Sequence, residues 1–219
     1  MGPIERKERE RLELRRKILD AARSLFAEQG FEAVTMRTVA HEVEYSPRTL
    51  YLHFKDKEEL FRELCLEDFR ILGDAFGKLM AIADPFDRLR ASGLAYAEFA
   101  QTYPNHYRLM FMAPKPVHQD PAEVEWKGNP EADAYAFVRA CAQEAQAKGL
   151  LRPGWEDPDL AAQVIWGALH GVIALHLTHG DDPFVPWREF SSRVDSVIRV
   201  IQDGLRADPP PKARAARKA

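Results

Sequence analysis

Between Ser46 and Leu60 the chain reads SPRTLYLHFKDKEEL. Arg48, Thr49, Tyr51, His53, Lys55 and Lys57 crowd into ten residues. This is a set of cations and hydrogen-bond donors, and it suits a polyanion. An Arg such as Arg48 can pair bidentately with a guanine edge, and Pro47 and Thr49 can touch a thymine methyl. Leu52 shares the outward face. Tyr51, His53, Lys55 and Lys57 suit phosphate oxygens, which fix register while base contacts choose sequence. Lys57 also opens a helix, where unpaired N–H groups and the dipole attract anions. Thr35, Arg37 and Ser46 lie at helix starts and are candidates for the same contacts.

Other chemistry is weakly signalled. His41-Glu42-Val43-Glu44-Tyr45 begins like a zinc-protease motif, but Tyr45 stands where the second His is needed. His176 and His179 are three apart without an adjacent Cys or carboxylate cluster, so no metal and no cofactor are expected. Phosphate-loop, nucleophile-elbow, CxxC and GxGxxG motifs are missing from the sequence. Cys65 and Cys141, two and far apart, read as buried reduced thiols.

The elements that must position these residues are helical throughout. Residues 16–29 place Ile18, Ala22, Leu25 and Phe26 at helical spacing, closed by Gly30, with Phe31 able to touch Phe26. The charged residues 5–17 either extend this helix or form a mobile arm. Thr35 caps a second helix over 36–43. Ser46 caps a third, with Pro47 at its first position, where a missing N–H costs nothing. Leu50 and Phe54 turn inward, and the helix stops near His53. Helix, tight turn and short helix make a helix-turn-helix, whose later helix enters the DNA major groove. Two turns suffice to cross a groove. The same pattern also fits an ordinary corner of a core.

Further helices are expected from Lys57, over 85–102, 104–112, 131–148, 158–179 and 187–206. A polar Pro-rich loop spans 113–130. The fold expected is all-α, with about nine helices in two domains: 1–57, a three-helix DNA-binding unit with a charged arm, and 58–206, a helical bundle. Residues 207–219 form a basic tail expected to be disordered.

Residues 15–64, RRKILDAARSLFAEQGFEAVTMRTVAHEVEYSPRTLYLHFKDKEELFREL, resemble the DNA-binding domain of the TetR/AcrR family of transcriptional regulators. The resemblance implies a homodimer that binds a palindromic operator, usually represses, and carries a second domain for a small-molecule effector. It departs in the turn, where the family usually has Gly and this chain has Glu44. A non-Gly residue in a left-handed conformation costs roughly 1 kcal/mol. Arg48 and Leu52 depart too, so no operator sequence can be borrowed from relatives.

In the second domain, AYAEFAQTYPNHYRLMF (95–111) and IWGALHGVIALHL (165–177) resemble the Trp-His-Gly subgroup through Trp166, His170 and Gly171. His170 could offer a polar group in an apolar effector pocket. Tyr103, Tyr107, Met110, Phe111, Trp126, Phe137 and Trp166 are its candidate walls, though each also fits plain core. The apolar faces of the last two helices call for a second copy of the chain, giving an isologous two-fold interface.

The 219 residues carry 46% apolar and 30% charged side chains, as in an ordinary soluble protein. The net charge of −3 divides unevenly: residues 1–57 hold 12 Lys/Arg against 10 acids, and residues 58–209 hold 15 against 24. A polyanion would therefore dock at the N-terminal end. No signal peptide or run of about 20 apolar residues is evident, so a cytoplasmic location and no membrane partner are expected. Two other classes stay open: an effector-independent architectural DNA-binding protein, and a helical carrier or enzyme built in the second domain.

Overall fold

The computed structural model describes residues 2–113 and 124–208. The helices, in chain order, are α1 (Pro3–Gln29), α2 (Met36–Glu42), α3 (Pro47–Leu50), α4 (Lys57–Gly77), α5 (Pro85–Thr102), α6 (Pro104–Tyr107), α7 (Ala134–Ala147), α8 (Pro158–His179) and α9 (Phe190–Leu205). A 3₁₀ turn, Lys78–Ala81, follows α4, and a π-helical turn, Arg108–Met112, follows α6. No strand occurs among the described residues, where the single antiparallel bridge joins Leu151 and Arg206. All-α architecture is the outcome. The basic tail from residue 209 and the loop over 114–123 lie outside the described residues.

Local chemistry sets the boundaries. The Thr35 hydroxyl accepts the Thr38 N–H at 3.1 Å, and the Ser46 hydroxyl that of Thr49 at 3.2 Å. Asp56, Asp84, Asp133 and Asp157 accept first-turn amides of α4, α5, α7 and α8 in the same way. Each satisfies a donor that the helix itself leaves unpaired. One open alternative is decided and three expected boundaries shift, the first being α3, which was expected to run to about His53 and closes at Leu50 with Tyr51–His53 in a turn. The charged N-terminal segment is helical and continuous with α1, supported by pairs such as Arg6–Glu10. The helix expected from 131 starts at Ala134, because Asp133 is its cap. The helix expected from 187 starts at Phe190, leaving Trp187 outside it.

Two hydrophobic cores form. One gathers Ile18, Phe26, Val39, Leu50, Phe54 and Leu64 from the first four helices. The other gathers Phe86, Tyr96, Phe137, Ile165 and Ile198 from the remainder. They meet on α4, whose first turns belong to one core and whose Leu72 and Phe76 belong to the other. The segment after α6 also bridges them: Leu109 packs in the N-terminal core while Tyr107 and Met110 pack in the second. Beside it, Arg23 of α1 donates through Nε to the wholly buried Asp68 of α4 at 3.2 Å. Arg23 also pairs with Glu67 and Asp20. His106 Nδ1 lies 2.8 Å from the same Asp68 oxygen, but out of line for N–H donation. Burial opposes the Arg23 charge, yet Asp68, Glu67 and Asp20 outweigh it and raise the guanidinium above its ordinary range. Removing one partner of such a pair strands a buried charge, at a cost of about 3–5 kcal/mol.

Close backbone approach explains two glycines of α4. A Cβ on Gly73 would lie 1.9 Å from the Ala132 carbonyl oxygen, and one on Gly77 would lie 2.2 Å from that of Glu131. The chain entering α7 therefore presses directly on α4. By length and composition α8 could cross a membrane, which the sequence reading missed because Gln163, His170 and His176 interrupt its apolar residues. It packs instead against α5, α7 and α9.

Glu44, in the turn between α2 and α3, has φ 60°, the left-handed conformation that glycine adopts without a Cβ clash. Glu44→Gly should raise the stability of the chain by up to about 1 kcal/mol once the greater entropy of the unfolded glycine is offset. A urea midpoint that falls rather than rises would contradict this strain.

Candidate functional site

The first site is the outward face of α3. Leu50 and Phe54 are buried, which fixes the rotation of this short helix. Pro47, Arg48, Tyr51 and Leu52 consequently face solvent, with Leu52 78% exposed. An aliphatic side chain held out so far in the turn that follows a short capped helix gains nothing from the fold. Thr49 is half-buried, and its hydroxyl meets that of Ser46 at 2.9 Å. Arg37 and Lys55 are exposed on neighbouring segments, so Arg37, Arg48 and Lys55 put three cations on this surface. Thr35 is exposed but its hydroxyl is engaged in the α2 cap.

Two predicted residues are otherwise occupied. The Lys57 ammonium donates to the Phe31 carbonyl at 2.8 Å and sits 4.0 Å over the Phe31 ring. His53 is half-buried with Nδ1 enclosed and lacking a partner. Burial, helped by the charges of Arg11 and Arg15, holds its imidazole below the ordinary value. Lys57 thus uses one of its three N–H donors within the protein, and His53 keeps Nδ1 turned inward.

The second site is a cavity of about 470 Å³, open to solvent on one side and lined by α4, α5, the π-helical turn, α7, α8 and residues 124–127. Of the predicted wall residues, Met110, Phe111, Trp126 and Trp166 line it. Tyr107 and Phe137 are fully buried outside the lining, Tyr103 is partly exposed and also outside it, and His170 stands behind Tyr107. Sequence reasoning passed over Phe69 and Phe76 of α4, Tyr96 of α5 and Tyr135 of α7, all in the wall. The seven-residue spacing of Phe69 and Phe76 marks one face of a helix, a signal that core packing gives equally.

A directed hydrogen-bond chain runs from the cavity wall into the core. Trp166 Nε1 donates to the Tyr96 oxygen at 3.1 Å, and Tyr96 donates to the Tyr107 oxygen at 3.0 Å. Tyr107 is fully buried, so its own proton has one destination, His170 Nδ1, at 2.6 Å. The imidazole therefore keeps its proton on Nε2. Burial pushes the Tyr96 phenol up to about 12, raises that of Tyr107 further, and holds His170 below its ordinary value.

With both sites in view, comparison with known proteins defines the class. Residues 18–64 match the model described as bacterial regulatory proteins, tetR family, and residues 89–189 match a tetracyclin repressor-like C-terminal domain. The chain belongs to the TetR family. It is similar to the HTH-type transcriptional regulator UidR of Escherichia coli (strain K12), 43% identical over 54 residues. That match covers 25% of this chain and 28% of UidR, so the chain spans little more than a quarter of that relative's length. It is also similar to the HTH-type transcriptional repressor KstR2 of Mycolicibacterium smegmatis, 29% identical over 165 residues, covering 69% of this chain and 73% of that one. Among solved structures, a bacterial regulatory protein in the tetR family from Rhodococcus RHA1 shares the fold, with a TM-score of 0.72 at 19% identity, over 89% of this chain and 98% of the other.

The buried histidine gives a pH dependence of definite sign. His170 has a folded pKa below 6.5, so below pH 6.5 the unfolded chain binds a proton that the folded chain refuses. Its contribution is complete above 6.5 and is lost as pH falls from there towards the folded value. The melting temperature should drop between pH 7.5 and 5.5, and His170→Gln should shallow that drop. Parallel profiles for the two chains would remove His170 as a source.

Proposed function

We propose that this chain is a sequence-specific transcriptional regulator, a repressor that binds a palindromic operator as a homodimer in the cytoplasm and is released by a small-molecule effector. The carrying observation is the exposed face of α3, with Arg48, Tyr51 and Leu52 outward over a buried Leu50 and Phe54. A helix so oriented can enter a major groove, with Arg48 at a base edge and Arg37 and Lys55 at flanking phosphates. The named role of KstR2 supports repression.

Two further features support the assembly and its control. The outer face of α8 leaves Leu160, Val164 and Leu175 exposed, and α9 leaves Val200 70% exposed. These apolar side chains suit burial against a second copy, which sets two α3 helices on one duplex; of the α9 stripe expected to meet that copy, Phe190, Val194 and Ile198 are instead buried in the chain's own core. Trp166 and His170, joined through Tyr96 and Tyr107, support placement in the Trp-His-Gly subgroup. The cavity is the effector site of this reading: its single carboxylate among the described residues, Asp133, is consumed by capping α7, which favours binding over turnover. Ligand pressure on Phe69 or Phe76 would pass along α4 to the DNA-binding unit. The effector must prefer the released state by a few kcal/mol, because ~1.4 kcal/mol is only tenfold.

Selecting bound fragments from a random duplex pool tests the reading directly and should return a palindrome with half-sites about one helical turn apart. Arg48→Ala should relax preference at one position of each half-site and cost about 1–3 kcal/mol of specific binding; an unchanged sequence preference would reject its role in base reading. Val200→Asp should shift the chain from dimer to monomer in sedimentation equilibrium. A Val200→Asp chain that still sediments as a dimer would move the interface off α9.

A further inference from the structure

The walls of the cavity carry more information than its size. Each polar or charged group lining it from α5, α7 and α8 is already matched within the chain. Ser92 Oγ donates to the Leu89 carbonyl at 2.9 Å. The Trp166 indole N–H and the Tyr96 proton are spent in the chain that ends at His170. The Tyr135 hydroxyl donates to Asp159 at 3.0 Å. The Asp133 carboxylate accepts the amides of Gly128, Tyr135 and Ala136 and the Lys127 ammonium at 2.7 Å. Burial works to raise the Asp133 carboxyl, but Lys127 and these amides outweigh it and hold it ionised below its usual range. The one cation and the one carboxylate at the wall, among the described residues, are thus paired with each other, Lys127 through one of its three N–H donors. What remains is apolar and aromatic surface, a lone pair on the Tyr96 oxygen, and the indole of Trp126 in the 124–127 turn.

We propose that the cavity selects an uncharged, hydrocarbon-rich ligand and discriminates against an anion or cation on the same apolar body. This rests on the reading of the cavity as the effector site and deepens it. A carboxylate at the wall would meet no unshared donor among those of α5, α7 and α8, and beside Lys127 it would face Asp133. A quaternary ammonium would find Asp133 already saturated. A buried charge without a partner is far costlier than a buried hydrocarbon. A hydroxyl is the polar group best tolerated, because it can donate to the free lone pair of Tyr96.

The test uses one body with three heads: decan-1-ol, decanoate and decyltrimethylammonium, below their aggregation concentrations at pH 7.5. Affinity for the full chain is read by calorimetry and by quenching of tryptophan fluorescence, since Trp126 and Trp166 line the site. Decan-1-ol should bind at least about tenfold more tightly than either ion. Equal or tighter binding of decanoate or the ammonium overturns the proposal, as does failure of all three to bind. Two cavity-filling variants, Leu66→Trp and Ala162→Phe, locate the site. Loss of decan-1-ol binding in whichever folds, judged by circular dichroism, supports it, and undiminished binding overturns it. Tyr96→Phe removes the acceptor of the Trp166 N–H and leaves that donor unshared at the wall, so it should narrow the advantage of decan-1-ol over decanoate; an unchanged ratio would overturn the proposal. The same ligands added to an operator complex separate this inference from the effector reading. Decan-1-ol that binds without releasing DNA overturns the effector reading alone, and release by the tighter-binding decanoate overturns the ligand class alone.

Discussion

The structure turns on one buried ion pair. Arg23 of α1 reaches the wholly buried Asp68 of α4, and His106 of α6 lies against the same carboxylate. The Asp68 charge is not tolerable there alone, because it would lose its hydration with nothing in return, whereas Arg23 also holds Glu67 and Asp20. The three segments are therefore held in one arrangement unless all move together. Leu109 reinforces the tie by packing into the N-terminal core from a segment whose neighbours belong to the other core. A π-helical turn makes this possible, since its altered pitch redirects successive side chains.

That constraint gives the two sites a physical connection. Residues of α4 on either side of Asp68, namely Leu66, Phe69, Leu72 and Phe76, line the cavity. The start of the same helix is clamped under the DNA-binding unit by Lys57 on Phe31. On this side of the cavity Gly73 and Gly77 are already in close backbone contact with residues 131–132. The polar chain from Trp166 to His170 plays the corresponding part on the opposite wall, holding α5, α6 and α8 in fixed register.

The α3 corner illustrates how little sequence is needed for a recognition surface and how much support it takes. Four regular helical residues are stable here only because Ser46 caps them, Pro47 presets the first turn, and Leu50 and Phe54 anchor the inner face. Glu44 keeps the turn tight at the expense of a left-handed backbone. His53, packed on Phe54, and Lys57, bonded to the Phe31 carbonyl, add contacts that hold this corner.

The sequence by itself determined the helices and the face each presents, because caps, prolines and apolar periodicity act over a few residues. Thr35, Ser46, Asp84 and Asp157 mark helix starts at the positions where the structure has them. The outward orientation of Arg48, Tyr51 and Leu52 followed from the inward orientation of Leu50 and Phe54 by helical geometry alone. Only the tertiary structure decided which aromatics border empty space. Phe137 and Phe111 are alike in sequence context, yet one is core and the other wall, since that depends on whether a distant helix fills the gap. The same holds for the partner of each polar group: Lys57 choosing Phe31, Tyr107 choosing His170, and Arg23 choosing Asp68 are choices made across 26, 63 and 45 residues of chain. No local pattern records them, because the free energy that selects them exists only once both partners have been removed from water.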